Sequence, residues 1–337
     1  MMNRKWSFLL VLLLGFSVGA FAQTLKFNGN GEFKIVQFTD VHYKINNPNS
    51  VAALKCIDEV LTKERPDLIV LTGDVVYSSP ADKTLLEVLH RVSAYNIPFV
   101  YLFGNHDREF GMTNEALYDV ARGVKNNIMP DRKGGASPDY TLRIKSHQGN
   151  RDAAVLYCMD SHSMAQDPSV GGYAWFTHDQ IDWYRGQNAQ FTALNGGKPL
   201  PALAFFHIPL PEFTMASTLE KAALHGTRME PACPADINTG MFSAMRLGGD
   251  VMGIFCGHDH DNDYSVMYKN ILLAYGRFTG GNTEYNHLSN GARIIVLKEG
   301  ERSFNTYIRL RKGDVIDRTT YPGSYVKDDW RKRPVEE

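Results

Sequence analysis

Apolar and polar stretches alternate along the chain in a way that predicts strand, helix, strand, helix. Residues 33–38 form a short apolar run that reads as a strand. Residues 51–61 space their apolar positions at helical intervals, with Ser50 placed as N-cap. Pro66-Asp67 breaks that helix, and residues 68–71 read as a buried strand. Residues 83–92 are helical again, 97–103 strand-like with Pro98 near the start, and 114–122 helical. Residues 126–138 gather Asn, Pro, Gly and Ser and read as a loop. Residues 140–144 and 153–158 predict a pair of strands, and 177–190 a helix capped by Thr177. Two further strands are expected at 202–206 and 252–256. Between them, residues 211–250 form a long stretch with one short helical patch, a candidate for shaping a pocket. Strand-like runs follow at 264–267, 271–275, 292–297 and 304–308, and the charged tail past 312 reads as peripheral. Strands alternating with helices argue for an α/β architecture, and the late run of strands for sheets that are partly antiparallel.

The first 22 residues have a different grammar. Arg4 and Lys5 precede an apolar run, and Ala20-Phe21-Ala22 closes it before Gln23 opens a polar stretch. Charge, apolar core and small-residue site in that order predict a signal peptide over 1–22, cleaved on export to the periplasm or the medium. Gly15, Ser17 and Gly19 dilute the run below what a spanning helix wants, about 20 consecutive apolar residues. Removing residues 1–22 takes away two basic residues and no acid, leaving 34 Lys+Arg against 37 Asp+Glu, a net of −3. That balance argues against a nucleic-acid partner, and no later stretch is apolar enough to span a bilayer. Residues 23–337 contain no repeat and no low-complexity linker, and are expected to form a single domain. The four cysteines lack C-x-x-C spacing, which argues against a structural zinc site. Cys158 and Cys256 both end strand-like runs, so either a disulfide between them or buried free thiols is open.

Five predicted strands each run into a polar cluster. They lead to Thr39-Asp40-Val41-His42, Gly73-Asp74, Gly104-Asn105-His106-Asp107, His207 and Gly257-His258-Asp259-His260. Ligands in open α/β sheets bind at the carboxyl ends of strands, so these five ends are expected to converge. Five of the eleven histidines fall in these clusters. Each cluster alone is weak, since Gly-Asp is an ordinary turn and a lone His is usually structural. The five in order, each after a strand, point to a dinuclear metal site. Imidazole and carboxylate without thiolate suit iron, zinc or manganese.

These motifs resemble the signature of the calcineurin-like metallophosphoesterase superfamily. FFHIPLPE at 205–212, DINTGMF at 236–242, GHDHDNDY at 257–264 and YGRFTGG at 275–281 are similar to the purple-acid-phosphatase-related group that includes the Dcr2-type phosphatases. The resemblance covers residues 33 to 310. It implies a four-layer α/β/β/α sandwich with mixed sheets and two metal ions, both divalent or Fe(III) with a divalent partner. One metal would be held by Asp40, His42, Asp74 and His260. The other would be held by Asp74, Asn105, His207 and His258, with Asp74 bridging. His106 would contact the phosphate or leaving group and act as acid, and Asp107 would orient it or cap the following turn. Arg277 is a candidate phosphate contact, and Tyr77 is expected to pack beside the site rather than ligate. The implied reaction is hydrolysis of a small phosphate monoester by in-line attack of a metal-activated hydroxide. The same ligand set serves phosphodiesters, cyclic nucleotides and pyrophosphate, and those readings stay open. So does a non-catalytic metal-binding protein on the same fold. A metallo-β-lactamase-type hydrolase is disfavoured, because the His-x-His-x-Asp-His run it needs is missing. The motifs carry no information on oligomeric state.

Overall fold

The computed structural model describes residues 24–132, 139–219 and 221–325; the predicted leader lies outside them. The first sheet starts with three β-α units: β1 (Glu32–Phe38), α1 (Val51–Glu64), β2 (Leu68–Thr72), α2 (Ala81–Ser93), β3 (Phe99–Leu102) and α3 (Asn114–Arg122). These three strands are parallel neighbours. A hairpin, β4 (Tyr140–Lys145) and β5 (Asp152–Cys158), opens the second sheet. After α4 (His178–Leu194) come β6 (Ala202–Phe205), α5 (Glu212–Ser217), β7 (Leu224–His225), α6 (Met241–Gly248) and β8 (Val251–Cys256). The chain ends in β9 (Ser265–Tyr268), β10 (Ile271–Tyr275), β11 (Gly291–Lys298), β12 (Phe304–Leu310) and β13 (Val315–Tyr321).

Two mixed sheets result. One has the order β13-β12-β11-β1-β2-β3 and the other β4-β5-β6-β8-β10-β9-β7. Period-2 alternation in the second sheet explains how they stack. Leu156, Leu203, Phe205, Phe255 and Leu272 join the core shared with the first sheet. Their neighbours Val155, Ala204, Ile254 and Leu273 instead pack with Tyr184 and Phe191 of α4 and with Phe242 and Met245 of α6. Both faces of these strands are therefore apolar, as parallel strands covered on two sides require. The expected four-layer sandwich is observed.

Local signals behave as their chemistry predicts, with exceptions. Thr177 and Gln180 form a reciprocal capping box at α4. Ser50 does not cap α1 with its side chain. A 3-10 turn over Pro48–Ser50 extends the helix backward, and Ser50 Oγ accepts instead from Lys44 N at 2.9 Å. The stretch 211–250 holds two helices and a short strand rather than one helical patch. Within the tail past 312, residues 315–321 are not peripheral, because β13 pairs with β12. Cys158 and Cys256 cannot bond to each other: β6 lies between their strands, and they face opposite sides of the sheet. All four cysteines are free thiols, and three are buried. No helix among the described residues is long and apolar enough to cross a membrane.

Candidate metal centre

The loop after β1 keeps pairing with the loop after β2 beyond the end of both strands. Asp40 N donates to Gly73 O at 3.1 Å, and His42 N to Asp74 O at 2.9 Å. Along this path Asp40, His42 and Asp74 take left-handed backbone angles, with φ of 51°, 43° and 51°. His258, on the far sheet, has φ 82°. Such conformations cost about 1 kcal/mol or more for a residue with a Cβ, and persist where the surroundings over-determine them. Asp107 supplies much of that constraint. Its carboxylate accepts from the backbone N–H groups of Asp74, Val75, Val76 and Gly104, at 2.7–3.0 Å. Gly104 is needed for close approach, since a Cβ there would lie 2.0 Å from Asp74 Oδ1.

Two buried groups of donors face one another. Asp40, His42 and His260 form the first, and Asp74, His207 and His258 the second; within each, the ligand atoms lie within 4.8 Å of one another. Asp74 Oδ2 is 3.1 Å from His207 Nε2 and 3.7 Å from His42 Nε2, so it reaches an imidazole of each group. Asp40 Oδ1 lies 3.8–3.9 Å from His42, His207 and His260. His207 Nδ1 donates to Thr72 O at 2.7 Å and His260 Nδ1 to Tyr285 O at 2.9 Å, which leaves each Nε2 pointing inward. Both His42 nitrogens and Asn105 Oδ1 are buried without a hydrogen-bond partner. Orphaned buried acceptors are costly. With the two donor groups beside them, all nitrogen and oxygen, they fit two hard-to-borderline metal ions.

Electrostatics favour ligation at His42, His258 and Asp74, while His207 and Asp40 hold a proton between them without a metal. Burial, reinforced by neighbouring imidazoles, holds His42 and His258 well below the usual histidine range, so both are neutral and able to ligate. Burial opposes ionisation of Asp74, but His207 and His42 outweigh it and keep its carboxyl ionised. Burial also disfavours the His207 imidazolium, yet Asp74 and Asp40 push its pKa up to about 10. Burial raises Asp40 despite His207 and His260.

The remaining predicted residues fall in different places. His106 stands at the mouth, its backbone N–H donating to Asp74 Oδ1 at 2.8 Å and its ring 5.4 Å from that of His42. Its Nδ1 lies 2.8 Å from Glu109 Oε2. Burial lowers its basicity, but Asp74 and Glu109 raise it further. Tyr77 packs its ring edge-on against His42 at 4.6 Å and gives its hydroxyl to Glu284. Two expectations need correcting. Asp107 accepts from the N–H groups of Asp74, Val75, Val76 and Gly104, so it shapes the preceding loops rather than orienting His106 or capping the following turn. Arg277 is 3% exposed, paired with Asp263 and donating to Ser289 O at 2.6 Å, so it is not available to a phosphate. Sequence reasoning missed Glu109, Glu284 and Tyr285. Tyr285 stacks on His260 at 4.4 Å, and Thr283 Oγ1 donates to His42 O at 2.6 Å, so the 283–285 segment lies across the first donor group.

Comparison with known proteins agrees with this geometry. The model of the calcineurin-like phosphoesterase family matches residues 33–262. Among relatives, "Probable inactive purple acid phosphatase 29" of Arabidopsis thaliana is 32% identical over 285 residues, spanning 75% of this chain and 73% of its own. Phosphatase DCR2 of Saccharomyces cerevisiae is 30% identical over 337 residues, or 86% of this chain but only 55% of the yeast protein. A dimetal phosphatase of Danio rerio superposes with a TM-score of 0.57 at 15% identity, over 86% of this chain and 98% of its own. With the fold, the paired donor groups and the family match in agreement, the chain belongs to the calcineurin-like phosphoesterases and carries a buried His/Asp site of the dimetal type.

Proposed function

We propose that this protein is an exported phosphatase that hydrolyses small phosphate monoesters at two metal ions. One observation carries the reading: two buried donor groups with unpartnered acceptor atoms face each other, and an exposed-edge histidine, His106, stands beside them. Asp40, His42 and His260 would hold one ion, and His207, His258 and Asn105 the other, with Asp74 shared. Bound there, the ions supply Lewis acidity and a water acidified to near neutral pH. The chain's own residues do the rest. His106, basic enough to carry a proton through its Glu109 and Asp74 neighbours, is placed to deliver it to the departing oxygen. Tyr77, its phenol held protonated by burial and by Glu284, closes one wall. The left-handed loop residues hold the ligands in place before substrate arrives, which avoids reorganisation during the reaction.

Several relatives carry "inactive" in their names. In this chain every strand-end ligand is in place, which favours catalysis over a binding role. The test is hydrolysis of p-nitrophenyl phosphate and bis-p-nitrophenyl phosphate by the reconstituted protein, with metal analysis on the same sample. Two metals per chain and faster, chelator-sensitive turnover of the monoester are expected. Faster diester turnover would make it a phosphodiesterase, and two metals without turnover a binding protein. Export rests on the order of charge, apolar run and A-x-A site; a mature protein beginning at Gln23 is the expected outcome of N-terminal sequencing.

A further inference from the structure

We propose that the cleft over the metal centre selects phosphoesters whose leaving group carries an alkylammonium, such as phosphorylated amino alcohols. This rests on the phosphatase reading and names its substrate class. Besides ligands and His106, the cleft is lined by Tyr77, Tyr173, Tyr285, Asp259, Glu284 and Cys233, with no Lys or Arg among them. Asp74, His258 and His260 of the two donor groups form the rest of that lining, so the phosphoryl end would be anchored there with the metals. The leaving group then faces rings and carboxylates.

Asp259 is engaged by the Tyr275 hydroxyl and Cys233 N, which leaves Glu284 and Glu230 to meet a cation. Glu284 accepts only from Tyr77 and from Tyr285 N. Glu230, next to the cleft, accepts from the Tyr285 hydroxyl at 3.0 Å and from Asp261 N. Among the described residues neither has a Lys or Arg ion pair. The rings are suitably presented. Tyr285 lays one face on His260 and is 47% exposed, so its other face is open. Tyr173 meets His258 at 4.5 Å and 87°. Lys44 Nζ, outside that lining, already sits 4.6 Å from the Tyr77 centroid, so Tyr173 and Tyr285 are the rings left for a ligand. Tyrosine faces with nearby carboxylates attract an organic cation by about 0.5–2 kcal/mol, about 2- to 30-fold in affinity. They repel a second anionic group, which disfavours nucleotides and pyrophosphates.

The reaction balances without a further reagent. Water oxygen bonds to phosphorus, the bond from phosphorus to the leaving oxygen breaks, and that oxygen takes a proton. The products are inorganic phosphate and the amino alcohol.

Two measurements on the metal-loaded protein test the proposal. The first compares kcat/KM for phosphocholine with that for 3,3-dimethylbutyl phosphate, its uncharged isostere. The second compares calorimetric binding of choline and 3,3-dimethylbutanol, which needs no turnover. About tenfold preference for the cation in both is expected. Glu284→Gln and Tyr285→Leu should each cut the ratios at least about threefold, whatever they do to absolute rates. Equal values for cation and isostere would overturn the cation site while leaving the phosphatase intact. Choline discrimination without hydrolysis of any ester would retain the cation site and sink the phosphatase reading alone.

Discussion

Asp107 and His106 are neighbours in the chain with opposite duties. Asp107 is fully buried among four backbone donors, and burial together with nearby Asp74 pushes its pKa up to about 6. Asp107→Ala strands the N–H groups of Asp74, Val75, Val76 and Gly104. We expect a loss of about 3 kcal/mol in denaturant unfolding, together with weaker metal retention. His106→Ala should do the reverse: kcat falls about 10²-fold or more, while metal content and melting temperature hold. An unchanged kcat would remove the acid from the mechanism. Gly104→Ala drives a methyl into Asp74 Oδ1, and should release metal on dialysis where wild type keeps it. The Asp and His positions of the two donor groups were legible because each follows an apolar strand run. Glu109, Glu284 and Tyr285 were not. Glu109 lies in a short turn, and the other two enter the site only because the 283–285 segment is tied to His42 and His260 by contacts that no periodicity encodes.

Secondary structure was legible where burial is two-sided. β2 and β8 are buried at every position and read as apolar runs. β13 was missed because VIDRTTY, an edge strand, buries only Thr319 and Tyr321 and alternates poorly. Only one helix was expected in 211–250, because α5 and α6, at six and eight residues, are too short for a helical period to stand out. One joint between elements is open to test. Glu64, at the end of α1, receives Lys34 of β1 at 3.1 Å and both Tyr307 and Arg309 of β12 at 2.7 and 2.6 Å. Burial acts to raise its pKa, but these three partners outweigh it and the net shift is downward. A lowered carboxyl stabilises the fold above the ordinary glutamate pKa, roughly 4.3, and loses that contribution as pH falls through the folded value. Glu64→Gln should therefore cost about 2 kcal/mol near pH 7 and progressively less below about pH 4, read as the gap between urea midpoints. A gap independent of pH would mean that packing, not charge, holds the joint.

At the scale of the molecule, the site joins what the sheets keep apart. Asp40, His42, Asp74 and Asn105 hang from the first sheet, and His207, His258 and His260 from the second. Cations bound between them tie the two sheets together, and ligand binding to the native state alone raises stability by RT ln(1 + [L]/Kd), about 2.7 kcal/mol at a hundredfold excess over Kd. Thermal melts with and without chelator should differ accordingly; coincident melts would show that the donors hold no ion. The strand order was only partly legible, because β1 finds β11 across most of the chain and no local signal announces that pairing. That pairing sets the order in which the molecule can be made. As the chain leaves the ribosome, β1, β2 and β3 appear early, but β1 keeps a bare edge until Gly291–Lys298 is synthesised. A bare edge of this kind invites pairing with another chain. Nascent protein is thus exposed to mispairing for most of its synthesis, and termination between residues 261 and 290 yields a product that holds every Asp and His of the two donor groups but not a closed sheet to carry them.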